Sequence, residues 1–137
     1  MARRLREGRG QTMVEFALIL PALMLVFVGC LQLGLAFFSY EQVTSAANAA
    51  ARAAAVNRAG DPTSAAQNAA RSISPTLGLK DSQITVAYTS TATPAGAAWT
   101  YPGTTTVTVT YPFTLSLFGQ FSQSIDLSAS ATKRVER

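Results

Sequence analysis

The acids of the chain are Glu7, Glu15, Glu41, Asp61, Asp81, Asp126 and Glu136, and no two of them share a helical or strand spacing. Paired-carboxylate acid–base chemistry needs two such groups facing one another, so it has no visible site. There is no His and only one Cys, Cys30. Counting alone therefore removes His/Cys metal clusters, Cys/His nucleophile pairs and an internal disulfide. Gly8-Arg9-Gly10 is not a phosphate loop, because no strand precedes it and no Gly-Lys-Ser/Thr follows. No catalytic residue, metal site or cofactor is expected. Glu15 is the one oddly placed group. It stands between an Arg cluster and a long apolar run, where an ionised carboxylate near the membrane boundary is costly without a partner. The plainer account is an acid at a helix amino end, favoured by the helix dipole and close to Arg9.

The elements that would hold Glu15 follow from the charge pattern. Of 137 residues, 48% are hydrophobic and 13% charged. That is about half the charged share of an ordinary soluble domain, which moves the chain toward the membrane class. The net charge of +4 does not describe a nucleic-acid surface. Arg3, Arg4, Arg6 and Arg9 lie at one end and Lys133, Arg134 and Arg137 at the other. Residues 16–40 carry no formal charge, and residues 16–38 read FALILPALMLVFVGCLQLGLAFF. As a helix, that run rises roughly 34 Å, enough for a hydrocarbon core of about 30 Å. The Arg cluster places the amino end in the cytoplasm and Glu41 onward outside it. A cleaved secretory signal fits poorly, since the run is too long and ends in Ala36-Phe37-Phe38. Val28-Gly29-Cys30 resembles a lipobox, but Phe27 stands where Leu is usual and the sequence after Cys30 stays apolar. Cys30 reads as a small membrane residue.

Beyond the span, residues 41–58 put Val43, Ala46, Ala47, Ala50, Ala53 and Ala54 on one helical side and Ser45, Asn48 and Arg52 on the other. The membrane helix should continue into this one. Gly60 predicts a stop, Asp61 an N-cap and Pro62 a first helical residue, giving a second helix to about Ile73. Its expected apolar side is Ala65, Ala66, Ala69 and Ile73, ended by Ser74-Pro75 and Gly78. Between Ser82 and Thr132, 19 of 51 residues are Ser or Thr and Asp126 is the only charge. Ile84, Val86 and Tyr88 alternate with small or polar residues. So do Val107, Val109, Tyr111 and Phe113, and then Ile125, Leu127, Ala129 and Ala131, predicting three strands with one apolar face each. The stretch from Ser90 to Gly103, with Pro94, Gly96 and Pro102, reads as a long loop, and Gly119 lies in the last connection. The expected fold is α+β and lollipop-like, with four parts. Residues 1–10 form a basic cytoplasmic leader, 11–40 a transmembrane stem, 41–80 extracytoplasmic Ala-rich helices and 81–137 a Ser/Thr-rich antiparallel β head.

Residues 3–10, RRLREGRG, followed by QTMVEFALILP over 11–21, resemble the amino terminus of the type IV pilin superfamily. Glu15-Phe16-Ala17-Leu18 with Leu20-Pro21 looks more closely like the TadE-like pseudopilins of tight-adherence pilus systems. The resemblance covers about residues 7–45. In that superfamily a prepilin peptidase cuts after a Gly on the cytoplasmic side, and a Glu is fifth in the mature chain, ahead of an uninterrupted apolar helix. Gly10 matches the residue before the cut, Gln11 the new terminus and Glu15 the fifth position. The resemblance implies a single-pass inner-membrane protein whose partners are membrane lipid, the peptidase, other pilin or pseudopilin subunits and the pilus assembly machinery. Short major pilins have little beyond the stem, so the head here argues for a minor subunit acting in assembly or priming. Cleavage would remove four Arg and Glu7, taking the side-chain charge from +4 to +1, and would free an amine at Gln11, within helical reach of Glu15. Ala17, Ala22, Gly29, Gly34 and Ala36 offer thin places for stem packing, and Pro21, lacking a backbone donor, predicts a bend. The alternative from the residues alone is a bitopic protein whose head binds an envelope or extracellular partner and never enters a filament. Only the first reading requires processing at Gly10.

Overall fold

A computed structural model of the chain describes residues 4–57, 61–90, 103–117 and 121–135. The expected stop at Gly60, the loop residues Pro94, Gly96 and Pro102, and Gly119 lie outside the described residues. Stem and head share one helix, α1, Arg4–Val56, which at about 1.5 Å per residue is roughly 80 Å long. The apolar run and the Ala-rich segment are continuous, as their periodicity required. The helix starts at Arg4 instead of near Gln11, so Gly8 and Gly10 lie inside it, each a weak point costing about 1 kcal/mol relative to Ala. Where the stem meets the head, Ser39 and Thr44 donate their hydroxyls to the carbonyls of Leu35 and Tyr40, both at 3.0 Å, which meets their polar needs without breaking the helix.

The second helix, α2, is Pro62–Ile73, with Asp61 in extended geometry as its N-cap. The Asp61 carboxylate accepts from the backbone N–H of Thr63 at 3.0 Å and of Ser64 at 3.3 Å, and from the Ser64 hydroxyl. The hydroxyl of Ser64, then the Thr63 amide, holds the Asp61 carboxyl below its ordinary carboxylate value. A depressed folded-state value means that the cap stabilises above the ordinary carboxylate range and is lost as pH falls through the lowered value. Asp61→Ala is expected to lower the head's thermal midpoint at neutral pH and to flatten its decline below about pH 4, read by circular dichroism across pH.

The buried side of α2 differs from expectation. Pro62, Ala66, Ala70 and then Ser74 are buried, a single row at i, i+4 spacing, while Ala65 and Ala69 stand half-buried and Ile73 is 56% exposed. The row is made of small residues, so α2 approaches α1 closely along that line and the bulkier Ile73 falls outside it. Ser74 is satisfied in the interior by donating to the Ala70 carbonyl at 2.8 Å. On α1 the buried stripe is Val43, Ala46, Ala47, Ala50, Ala51 and Ala54, with Ala53 half-buried at its edge. The stripe takes in Ala51 because α2 and the sheet both pack on it and together cover a wider arc than either would alone. After α2, a short 3-10 turn ends at Gly78, whose φ of 55° is the left-handed conformation that favours glycine.

Three strands form an antiparallel meander in the order β1-β2-β3, with β1 Ile84–Ser90, β2 Gly103–Leu117 and β3 Phe121–Val135. The face turned to α1 buries Ile84, Thr105, Val107, Val109, Ala131 and Val135. Thr105 Oγ1 has no hydrogen-bond partner among the described residues, a buried hydroxyl facing a surface of methyl groups. The alternation was expected; the strand lengths were not. β1 pairs only with residues 103–109 of β2, so the β2/β3 ladder runs on alone to Leu117 and Phe121. That extension lies beyond α2, which packs on α1 and β1, and a single helix covers it incompletely. Ile125, expected on the apolar face, is accordingly 45% exposed, and Tyr88 on the edge strand β1 is 42% exposed.

Candidate functional site: the amino end of the stem

Gly10 and Gln11 are neighbours in one turn of α1 and Glu15 lies about one turn further on, and all three are exposed. Helical spacing brings Gln11 and Glu15 to the same side, where the Gln11 side-chain amide donates to the Glu15 carboxylate at 3.4 Å. With the leader attached, the backbone nitrogen of Gln11 is an interior helix amide, so Glu15 meets the side chain of residue 11 and no terminal amine. The Arg9 side chain, the other expected neighbour of Glu15, lies outside the described residues. Pro21 stands inside α1 six residues beyond Glu15, and the helix runs through it without interruption. Lacking an N–H, Pro21 leaves the Ala17 carbonyl without its usual donor.

The surroundings of Gly10 are open. A Cβ built there would meet no atom within 4 Å, and the same holds for Gly29 and Gly34. These glycines are not required by packing within the chain. Ala17, Ala22 and Gly34 are exposed, whereas Gly29 and Ala36, also expected as thin places for stem packing, stand half-buried.

Among the described residues one helix, within Gly10–Val56, is long and apolar enough to cross a membrane, and its most apolar 18-residue stretch has no residue buried by the rest of the molecule. A core helix of a water-soluble domain would be covered. Met13, Phe16, Leu18, Ile19, Leu23 and Phe27 all expose more than half their surface, which identifies a lipid-facing or partner-facing stem.

A polar residue inside the apolar run escaped attention in the sequence. Gln32 is the only amide among residues 16–38, and its side-chain amide donates to the backbone carbonyl of Ser116 near the far end of β2. Higher up, the Thr76 hydroxyl and the Gln42 amide oxygen lie 2.7 Å apart, tying the turn after α2 to the stem. The signal was an amide in an otherwise apolar stretch, which needs a partner.

Residues 10–52 match the family model of TadE-like proteins. The match begins at Gly10, takes in Gln11, Glu15, Pro21 and Gln32, and ends within the Ala-rich half of α1. No curated protein and no solved structure matches the chain. The match covers less than half of the chain: over its exposed apolar stem the chain is similar to TadE-like proteins, and the small α+β head lies outside the matched residues.

Proposed function

We propose that the chain is a minor pilin-like subunit acting in assembly or priming of a tight-adherence pilus, inserted with its Arg cluster in the cytoplasm and processed by a prepilin peptidase between Gly10 and Gln11. The observation that carries the reading is the family match over the stem, residues 10–52, which takes in Gly10, Gln11 and Glu15. Two features of α1 support it. Gly8 and Gly10 make that turn of the helix the easiest to unwind into a protease site, and the open surroundings of Gly10 leave it accessible. Processing would replace the Gln11 helix amide by a free amine four residues before Glu15. That charge pairs with Glu15 of the same stem or of a neighbour when stems pack in lipid.

Intact mass and amino-terminal sequencing of the chain purified from its native membrane test the reading. The expected mature terminus is Gln11. Gly10→Phe should leave a membrane-inserted chain ten residues longer; since a side chain at Gly10 meets nothing in the fold, the effect reports peptidase recognition and not stability. A wild-type chain that keeps residues 1–10 would overturn the filament-subunit reading in favour of a bitopic protein whose head acts alone.

A further inference from the structure

The β2/β3 extension reaches down to the level of Gln32, inside the apolar run of α1. Gln32, which meets the Ser116 carbonyl, is six residues before Phe38 on α1, roughly 9 Å at about 1.5 Å per residue. Along the side of α1 that faces the hairpin, Val28, Gln32, Ala36 and Ser39 are half-buried at helical spacing, while residues 11–27 are exposed all round. At the same level the rest of α1 is apolar and open, with Leu31, Leu33, Leu35, Phe37 and Phe38 each more than half exposed. A helix uncovered and apolar on its remaining faces is at lipid depth, and the hairpin end lies beside it.

The hairpin is built for the boundary of that layer. Residues 113–125 carry no formal charge. Phe113 and Leu115 face α1, whereas Thr114, Ser116, Ser122 and Ser124 form an exposed polar face on the other side of the ladder. Asp126, the nearest acid, pairs with Pro112, four residues and roughly 13 Å up the ladder from Ser116. Beyond β1 the edge of β2 has no strand partner among the described residues, and its backbone groups need water, headgroups or a side chain, as Gln32 supplies at Ser116. Such edges do not occur in the hydrocarbon core. We propose that the β2/β3 ladder around Ser116 and Ser122 is a second membrane contact, seated in the interfacial layer on the head side of the bilayer beside Phe37, Phe38 and Tyr40. The occupant of this face is a lipid surface. That layer is roughly 5–7 Å deep, close to the rise between Gln32 and Phe38. The hydrocarbon span then ends near Gln32, and about 20 residues counted back from there reach Thr12. The expected span of 16–38 moves toward the amino end.

The proposal rests on the stem crossing a membrane and not on processing at Gly10. In a Cys30→Ala background, nitroxide labels on the full-length chain at Ser116 and at its ladder partner Ser122 are compared with labels at Leu20 and at Ser64, in vesicles of phosphatidylcholine and phosphatidylglycerol. Collision with oxygen and with a water-soluble nickel chelate gives depth. The expected result is nickel access at Ser116 and Ser122 several-fold below that at Ser64, with oxygen access between the Ser64 and Leu20 values. Nickel access equal to that at Ser64 overturns the proposal while Leu20 stays in lipid. Low access to both reagents also overturns it, because protein then covers the hairpin. A water-accessible Leu20 would instead remove the membrane reading itself.

Discussion

Ala50→Leu is expected to lower the head's unfolding midpoint by several degrees and to open it to protease. Ala50 is fully buried in the middle of the α1 stripe, between Ala46, Ala47 and Ala54. The contact is made by methyl groups, so the surrounding backbones are close and no long side chain can move aside. Inserting three carbons into such a site costs roughly 1–3 kcal/mol, and in a domain of this size each kcal/mol moves the midpoint by about 4–8 °C. Two companions separate overpacking from a general loss of helix. Ala53→Leu, at the half-buried edge of the stripe, should cost clearly less, and Ile73→Ala, on the exposed side of α2, should stay within about 0.5 kcal/mol. Differential scanning of the three variants in detergent gives the order. If Ala53→Leu proved the more damaging, the buried stripe would be turned toward Ala53 and away from Ala51.

Local grammar was legible; reach was not. Asp61-Pro62 marks the start of α2 because its cap and its first-turn geometry are properties of neighbouring residues. The alternation of Val107 and Val109 with Thr marks the face of β2 for the same reason. The rotated face of α2 and the inclusion of Ala51 depend on what lies on each flank of the helices, which an Ala-rich pattern cannot specify, since nearly every position is equally apolar. The length of the β2/β3 ladder depends on a register spanning fifteen pairs and on where the hairpin meets α1. Only Gln32, an amide in an apolar run, hinted at that meeting. At the amino end, Gly10, Gln11 and Glu15 were recognisable by spacing, yet the helix through Gly10 was not, because two glycines and an Arg cluster read locally as a poor helix start.

Glu15→Gln should leave membrane insertion and processing intact and abolish co-assembly with other pilus subunits. Insertion depends on the apolar run, in which Glu15 takes no part, and on the proposed reading the peptidase would recognise the open, easily unwound turn at Gly10. Among the described residues of a single chain the Glu15 carboxylate is exposed and accepts from the Gln11 amide at 3.4 Å, a contact that Gln can also make. On the proposed reading the charge acts between stems or on the freed Gln11 amine. An exposed pair there would be worth about 1 kcal/mol or less, and its loss would barely register. If the head-side boundary lies at Gln32, however, the opposite boundary falls near Thr12 and Glu15 sits about one helical turn inside it. A carboxylate at that depth and its cationic partner are both partly desolvated, and removing one strands the other at a cost of several kcal/mol, enough to dissociate a weakly packed pair of stems. Quantitative mass spectrometry of material pulled down with the mature-length variant, against wild type at equal membrane abundance, makes the comparison. Undiminished recovery of partner subunits would make Glu15 no more than a helix-end acid.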